Sequence, residues 1–378
     1  MKILFLDQSG NLGGAELCLL DLAEFYRDSC IVGLFADGSF RKALDDRHIS
    51  VSILSTQQVK IRKDSNFWQS IGSVGQIIPL ISKVVQLSRD RDLIYANTQK
   101  ALVVGAIASF MTGKPLIYHL HDILSTEHFS RTNLQIAVFF ANRASLVIAN
   151  SQATKTAFIA AGGKEQLVRV VYNGFELKKY ENNSIASELK EQLNFKDRYV
   201  IGHFSRLSPW KGQHILIEAL TRCPQATAIL VGDALFGEDE YVEELHQQVK
   251  LLGLSDRVHF LGFRTDIPEL MSMCDLIVHT STAAEPFGRV IVEAMLCGKP
   301  IVASAAGGAM ELIENNHTGW LTTPGDISQL AEIINECFQQ PSKTKKIADA
   351  GKIAAIQRFE LSTIQQQIDR LLCQVEKR

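Results

Sequence analysis

The sequence predicts an α/β protein made of two doubly wound parallel sheets, each covered by helices on both faces. Three observations carry this expectation. Short apolar runs alternate with longer helical stretches along almost the whole chain. The runs are apolar at nearly every position instead of every second one, as strands buried on both faces require. A polar stretch near the middle separates two series of such runs, and the alternation supplies the crossovers that parallel pairing needs.

In the first half the strand candidates are Lys2–Leu6, Ile31–Phe35, Val51–Leu54, Leu93–Ala96, Leu116–Leu120, Ser145–Ala149 and Val168–Val171. Helical stretches between them include Ala15–Arg27, Ile77–Ser88, Leu134–Asn142 and Gln152–Ala160. The second half repeats the alternation with Tyr199–His203, Thr227–Val231, Val258–Leu261, Leu276–His279, Pro300–Ala303 and Gly319–Leu321. The segment Leu177–Lys196 is polar and carries no strand pattern, so it marks the boundary between a domain of residues 1–180 and a second of 181–360. Beyond it, Leu361–Arg378 places Ile364, Ile368, Leu371, Leu372 and Val375 on one side of a helix, which is expected to pack back on the first domain. Two such sheets, with ligands at the carboxyl ends of their strands, are expected to face a central cleft.

Length and composition agree with this organisation and exclude several classes. A chain of 378 residues exceeds one ordinary core and suits two domains. With 39 Lys and Arg against 41 Asp and Glu, the formal charge is −2, without the basic field of a general nucleic-acid binder. Only Ile3–Leu6 is apolar before Asp7, too short for the apolar part of a signal peptide, and Ala101–Met111 is too short to span a bilayer. The seven cysteines are scattered, odd in number and without a CxxC pair, which points to reduced core residues in a cytoplasmic protein.

Four loop segments directly after predicted strands carry the candidate chemistry. Gly10–Glu16 has paired glycines, Gly13 and Gly14, opening a helix whose N–H groups suit an anion, although a tight turn alone is the plainer account. It is not a GxGxxG fingerprint, which disfavours nicotinamide dinucleotides. Gly202–Gly212 holds Arg206 and Lys211 beside a helix start; together they would neutralise a diphosphate, while either alone would ordinarily be solvated. Glu285–Met295 carries Glu285 in a loop and Glu293 in the following helix, with Gly288 at the helix start. These carboxylates can accept from sugar hydroxyls; a local pair with Arg289 and a helix-start anion are their structural alternatives. Ser304–Glu311 is another glycine turn entering a helix, which touches ligand or merely turns the chain.

Together these motifs resemble the retaining glycosyltransferases of family 4, which have the GT-B fold of two Rossmann-like domains. The likeness covers most of the chain and is strongest over residues 199–326. Arg206 and Lys211 match the family's R-x4-K pair, Glu285 and Glu293 its E-x7-E, and EPFGRVIVEAMLCGKPIVAS and TGWLTTPGD follow its pattern. Gly13-Gly14-Ala15-Glu16 and Asn173-Gly174 are family-like, whereas Ser205 stands where the family usually has Gly and Glu176 where it often has Asp. The resemblance implies that Arg206 and Lys211 hold the pyrophosphate of a nucleotide diphosphate-sugar. Phe287, Gly288 and Arg289 would offer backbone donors, Glu293 would take the ribose hydroxyls, and Glu285 would contact the donor sugar. Backbone near Arg264 would read the nucleobase, and Gly13 and Gly14 would approach the diphosphate.

His119-Leu120-His121-Asp122 places two histidines on one face of a strand end. No further ligands complete a zinc pattern, and a structural histidine is the plainer reading. The resemblance aligns His121-Asp122 with the position lining acceptor and donor sugar, which makes His121 the catalytic-site candidate. Asp90-Arg91-Asp92 spells DxD but precedes a strand, so it reads as a solvated loop, and the cations leave no metal or other cofactor required. Residues 57–70 mix Lys60, Arg62 and Lys63 with Phe67 and Trp68; contact with a membrane inner face or a lipid-linked acceptor is weighed there against a solvated loop.

The expected function is therefore transfer of a sugar, with retention, from a nucleotide diphosphate-sugar to a glycan, lipid-linked or small-molecule hydroxyl, in glycan, glycolipid or polysaccharide biosynthesis. A nucleotide-sugar epimerase of the same fold and a non-catalytic nucleotide-sugar binding module are the rivals.

Overall fold

The structure is a computed structural model in which residues 1–55, 74–181, 186–234 and 237–376 are described. The chain forms two compact units, one of residues 1–174 and 361–378 and one of residues 175–360.

In the first unit the strands β1 (Ile3–Asp7), β2 (Cys30–Leu34), β3 (Val51–Ile53), β4 (Leu93–Ala96), β5 (Leu116–Leu120), β6 (Leu146–Ala149) and β7 (Val168–Val170) form one sheet of order β3-β2-β1-β4-β5-β6-β7. Every pairing is parallel. In the second, β8 (Tyr199–Phe204), β9 (Ala226–Val231), β10 (Val258–Gly262), β11 (Leu276–His279), β12 (Ile301–Ser304) and β13 (Trp320–Thr322) take the order β10-β9-β8-β11-β12-β13, again all parallel. The order turns back at β1/β4 in one sheet and at β8/β11 in the other. Helices leave to opposite faces at such points, and the strand ends there are open to a ligand.

The apolar runs are strands because both faces are covered. β1, β4 and β5 are buried at every position, against helices such as Gln99–Thr112 on one face and Gly14–Phe25 on the other. The run Ala101–Met111 lies within the first of those helices, and no helix among the described residues is long and apolar enough to cross a membrane. The helix Ser39–Asp46 lies between β2 and β3, where the alternation calls for one, and the long helix Pro341–Phe359 precedes the last helix.

The boundary falls earlier than the polar stretch suggested, at 174/175 instead of 180/181. Phe175 is 1% exposed, and its N–H donates to the Phe359 carbonyl at 2.8 Å, so it belongs to the second unit's core. The helix Ala186–Gln192 follows it there, with Leu189 buried and Lys190 paired to Asp275 at 2.7 Å. The last helix, Leu361–Glu376, sits in the first unit, burying Ile364, Ile368, Leu372 and Val375 beside Ile3, Phe5 and Leu19. Tyr26 donates to Asp369 at 2.6 Å to fix it. None of the seven cysteines is joined in a disulfide, and five of them are buried.

Candidate functional site

In the second unit, the loops after β8 and β11 meet at the point where strand order reverses. Lys211 closes a short 3-10 turn, Pro209–Lys211, and the next residue, Gly212, has φ 71°, a conformation costly for any side chain. Gly212 also lies so close to β11's loop that a Cβ would come within 2.0 Å of the Thr280 carbonyl oxygen. The Thr280 hydroxyl lies 2.8 Å from the Gly212 carbonyl and 3.1 Å from that of Lys211, and His203 Nε2 lies 3.0 Å from the same hydroxyl. Burial pushes His203 down to about 3, so it serves as a neutral ring.

This clamp aims Lys211 at Glu285, Nζ to Oε2 2.7 Å, with the ammonium 4.0 Å from the Trp210 ring centre. Glu285 also receives His279 Nε2 at 3.1 Å and the Ser281 hydroxyl at 3.2 Å. Burial alone would raise the Glu285 carboxyl, but the Lys211 ammonium and the His279 contact outweigh it and hold the group well below the usual carboxylate range. The Glu285 backbone is fixed from the glycine turn Gly307-Gly308, whose Gly308 N–H donates to the Glu285 carbonyl at 2.7 Å. That turn therefore shapes the loop carrying the carboxylate.

The other predicted residues divide into local pairs. Arg206 lies with Glu238, Nε to Oε2 3.5 Å, and the Ser208 hydroxyl donates to the same carboxylate at 2.7 Å. Arg289 pairs with Glu293 at 3.6 Å, the i,i+4 contact that the spacing allowed, and its guanidinium carbon stands 4.5 Å from the Phe175 ring centre. Phe287 is buried between Phe175 and Phe359, so only its backbone can serve a ligand. Gly288, with φ 99°, caps the helix Arg289–Leu296. Arg264 makes a fork with Asp266, Nε to Oδ1 at 2.8 Å, beyond β10; that pair holds Asp266 below its ordinary value.

In the first unit, Gly13 caps the helix Gly14–Phe25 and both glycines are exposed. The Glu16 carboxyl folds back beside Gly13, close enough that a Cβ there would meet it at 2.7 Å. Burial, reinforced by Asp7 and Asp122, pushes Glu16 up to about 8, and burial pushes Asp7 to about 6. The raised carboxyl carries less negative charge beside the helix start than an ordinary glutamate would. His121 follows β5; its Nε2 lies 2.9 Å from Asn97 Oδ1 and its ring 3.9 Å, centre to centre, from that of His119. His119 is pushed down to about 3 by burial, with the Tyr95 hydroxyl 2.8 Å from its Nδ1.

Among the described residues no group of His, Cys, Asp or Glu is arranged to hold a metal ion. In Asp90-Arg91-Asp92, Asp92 accepts from the Lys2 N–H and Arg91 pairs with Asp90 at 3.3 Å. The 57–70 stretch lies outside the described residues. Sequence reasoning passed over Asp7, Asn97, His279, Thr280 and Glu238. Four of these sit at, or just beyond, strand ends where order reverses, which sequence cannot reveal without the strand order.

Comparison with known proteins then assigns the class. Residues 12–179 match the family model described as Glycosyltransferase Family 4, and residues 185–354 that described as Glycosyl transferases group 1. The structure is similar to Anabaena HepE solved in complex with UDP-glucose, at 61% identity, over 99% of this chain and 100% of that one, with a TM-score of 0.93. HepE in complex with UDP and glucose gives 61% and a TM-score of 0.92 over 99% of both chains. WaaG, a glycosyltransferase of lipopolysaccharide biosynthesis, shares the fold at 18% identity and a TM-score of 0.72 over 97% of this chain and 98% of its own. Among curated relatives, spore coat protein SA of Bacillus subtilis is 31% identical over 50% of this chain and 54% of its own. The chain thus spans about half the length of that relative. N-acetyl-alpha-D-glucosaminyl L-malate synthase of Bacillus anthracis is 25% identical over 78% of each. The chain belongs to the family 4 glycosyltransferases and has their GT-B fold.

Proposed function

We propose that this glycosyltransferase moves a sugar from a uridine diphosphate-sugar, glucose being the first to test, to a hydroxyl acceptor with retention at the anomeric carbon. The observation that carries this reading is Lys211, held beside the buried Glu285 where the loops after β8 and β11 meet, with Arg206 in the same loop after β8 and facing Glu238. The 61% identity to a protein solved with UDP-glucose supports the choice of donor.

The chemistry follows from charge. As the bond from the anomeric carbon to the β-phosphate oxygen breaks, its electron pair stays on the diphosphate. Arg206, Lys211 and the amides at Phe287, Gly288 and Arg289 stabilise that charge, so the metal's usual task falls to the protein. The acceptor oxygen bonds to the same face of the anomeric carbon, and its proton passes to the departing phosphate. Glu285 takes a sugar hydroxyl, Glu293 the ribose hydroxyls, and His121 a hydroxyl of the transferred sugar or its acceptor. Gly13 and Gly14 offer backbone to the diphosphate, and backbone near Arg264 the nucleobase edge. The relatives support a place in glycan, glycolipid or polysaccharide assembly, the capsular polysaccharide enzyme CapM of Staphylococcus aureus among them at 23% identity. A cytoplasmic site completes the proposal.

Calorimetry with UDP and uridine, and UDP release from UDP-glucose, test it. Lys211→Ala should weaken UDP about ten-fold or more while leaving uridine within two-fold. Equal losses, or no binding of UDP by the wild-type protein, would sink the donor-site assignment. Appearance of an epimerised sugar with donor alone would favour the epimerase.

A further inference from the structure

In the first unit three neighbouring strands of the sheet, β1, β4 and β5, end in polar side chains that meet one another. Asp7 closes β1 and is fully buried; Asn97 follows β4 and is 1% exposed; His121 follows β5. Asn97 Nδ2 lies 2.7 Å from the Asp7 carboxyl and 3.2 Å from the Ala15 carbonyl oxygen, and Oδ1 lies 2.9 Å from His121 Nε2.

Chemistry fixes which way the amide faces. A backbone carbonyl only accepts, so the Asn97 NH₂ must turn toward Ala15, and its second N–H falls on Asp7. Asp7 is itself held by the Ser9 N–H at 2.8 Å. The amide oxygen is then left facing His121, and an oxygen acceptor requires that Nε2 carry the proton. The buried, neutral His119 ring at 3.9 Å fixes the plane of His121 without adding a charge beside it.

We propose that Asn97 is a positioning residue which, oriented by the Ala15 carbonyl and Asp7, holds His121 in the Nε2–H tautomer and makes Nδ1 its accepting atom. The functional side rests on the reading of His121 as a contact of the transferred sugar or its acceptor. There an accepting Nδ1 takes a hydrogen bond from a sugar hydroxyl, whereas the other tautomer would offer a donor in its place. Because Ala15 lies one residue after Gly13-Gly14, the same amide ties the first helical turn to the histidine. A shift of that turn is felt at the ring.

The test is a long-range proton–nitrogen correlation spectrum of the full chain with labelled histidine, His121 being assigned by its loss in His121→Phe. The expected wild-type pattern has Nε2 protonated and Nδ1 bare at pH 8. A proton on Nδ1 overturns the proposal whatever the variants do. Asn97→Ala should give a mixture of tautomers and lower kcat for UDP-glucose turnover roughly 10- to 100-fold, with KM for the donor within about two-fold. An unchanged tautomer in that variant overturns the role of Asn97. If His121→Ala leaves turnover intact while the spectra behave as expected, the sugar-contact reading fails and the tautomer assignment stands.

Discussion

Removing the Lys211 ammonium tests the electrostatics of the second unit's site most directly. Lys211 and Glu285 are 15% and 12% exposed and 2.7 Å apart, so Lys211→Ala leaves a carboxylate in a buried place with His279 and Ser281 for company. Breaking a buried pair from one side costs about 3–5 kcal/mol, and the residual exposure puts this one near the lower figure. The sign of its pH dependence is specific. In the wild type the Glu285 carboxyl lies below its ordinary value of 4.5, so its stabilisation is complete above that pH and lost as the pH falls. In Lys211→Ala the burial that raises the carboxyl remains while its largest opposing charge is gone, so the carboxyl should rise and stability should fall as pH climbs through 4.5. Urea unfolding of wild type, Lys211→Ala, Glu285→Gln and the double variant at pH 5 and pH 8 measures this. The cost of Lys211→Ala should be about 3 kcal/mol at pH 8 and at least about 1 kcal/mol smaller at pH 5, and adding Glu285→Gln should restore about 2 kcal/mol. A cost independent of pH, with strictly additive single effects, would refute the reasoning.

Glu238→Gln should leave Arg206 without its competing carboxylate and tighten UDP about five-fold by calorimetry, equivalent to about 1 kcal/mol; a weaker affinity would mean that Glu238 aligns Arg206 for the phosphate. Glu16 is raised from 4.5 to about 8, so the wild-type fold loses stability as pH rises between those values. Glu16→Gln should flatten that slope, gaining roughly 2 kcal/mol at pH 8 relative to pH 5 after allowance for its partial exposure; a slope like that of the wild type would contradict the shift. Gly212→Ala combines φ 71° with a Cβ placed 2.0 Å from the Thr280 oxygen. It should lower stability by about 2 kcal/mol or more and weaken UDP by misplacing Lys211; a melting temperature within about 1 °C of the wild type would show that the loop relaxes freely.

The sequence by itself determined the architecture. All thirteen strands among the described residues fall on the apolar runs read from it, within a residue or two at their ends, because a strand buried on both faces must be apolar throughout. The resemblance carried by Arg206, Lys211, Glu285 and Glu293 also implied the glycosyltransferase class, which the family models match. Asp7 shows where local pattern ran out: it looked like the residue after a run but is the last residue of β1, its carbonyl accepting from the Phe35 N–H at 2.9 Å. The domain boundary moved to Phe175 for a similar reason, because a buried aromatic outweighs the polarity of the residues after it.

What only the tertiary structure decided is which charge faces which. Arg206 and Lys211 are five residues apart, yet they take different carboxylates, Glu238 and Glu285, from different loops. Asp7, Asn97 and His121 become one hydrogen-bonded chain only because β1, β4 and β5 are neighbours, a strand order that no local pattern encodes. Periodicity reports whether a segment is buried, since burial depends on the residue's own apolarity. Partnership between polar groups depends on distances across the sheet, and those are set by the packing of the whole unit.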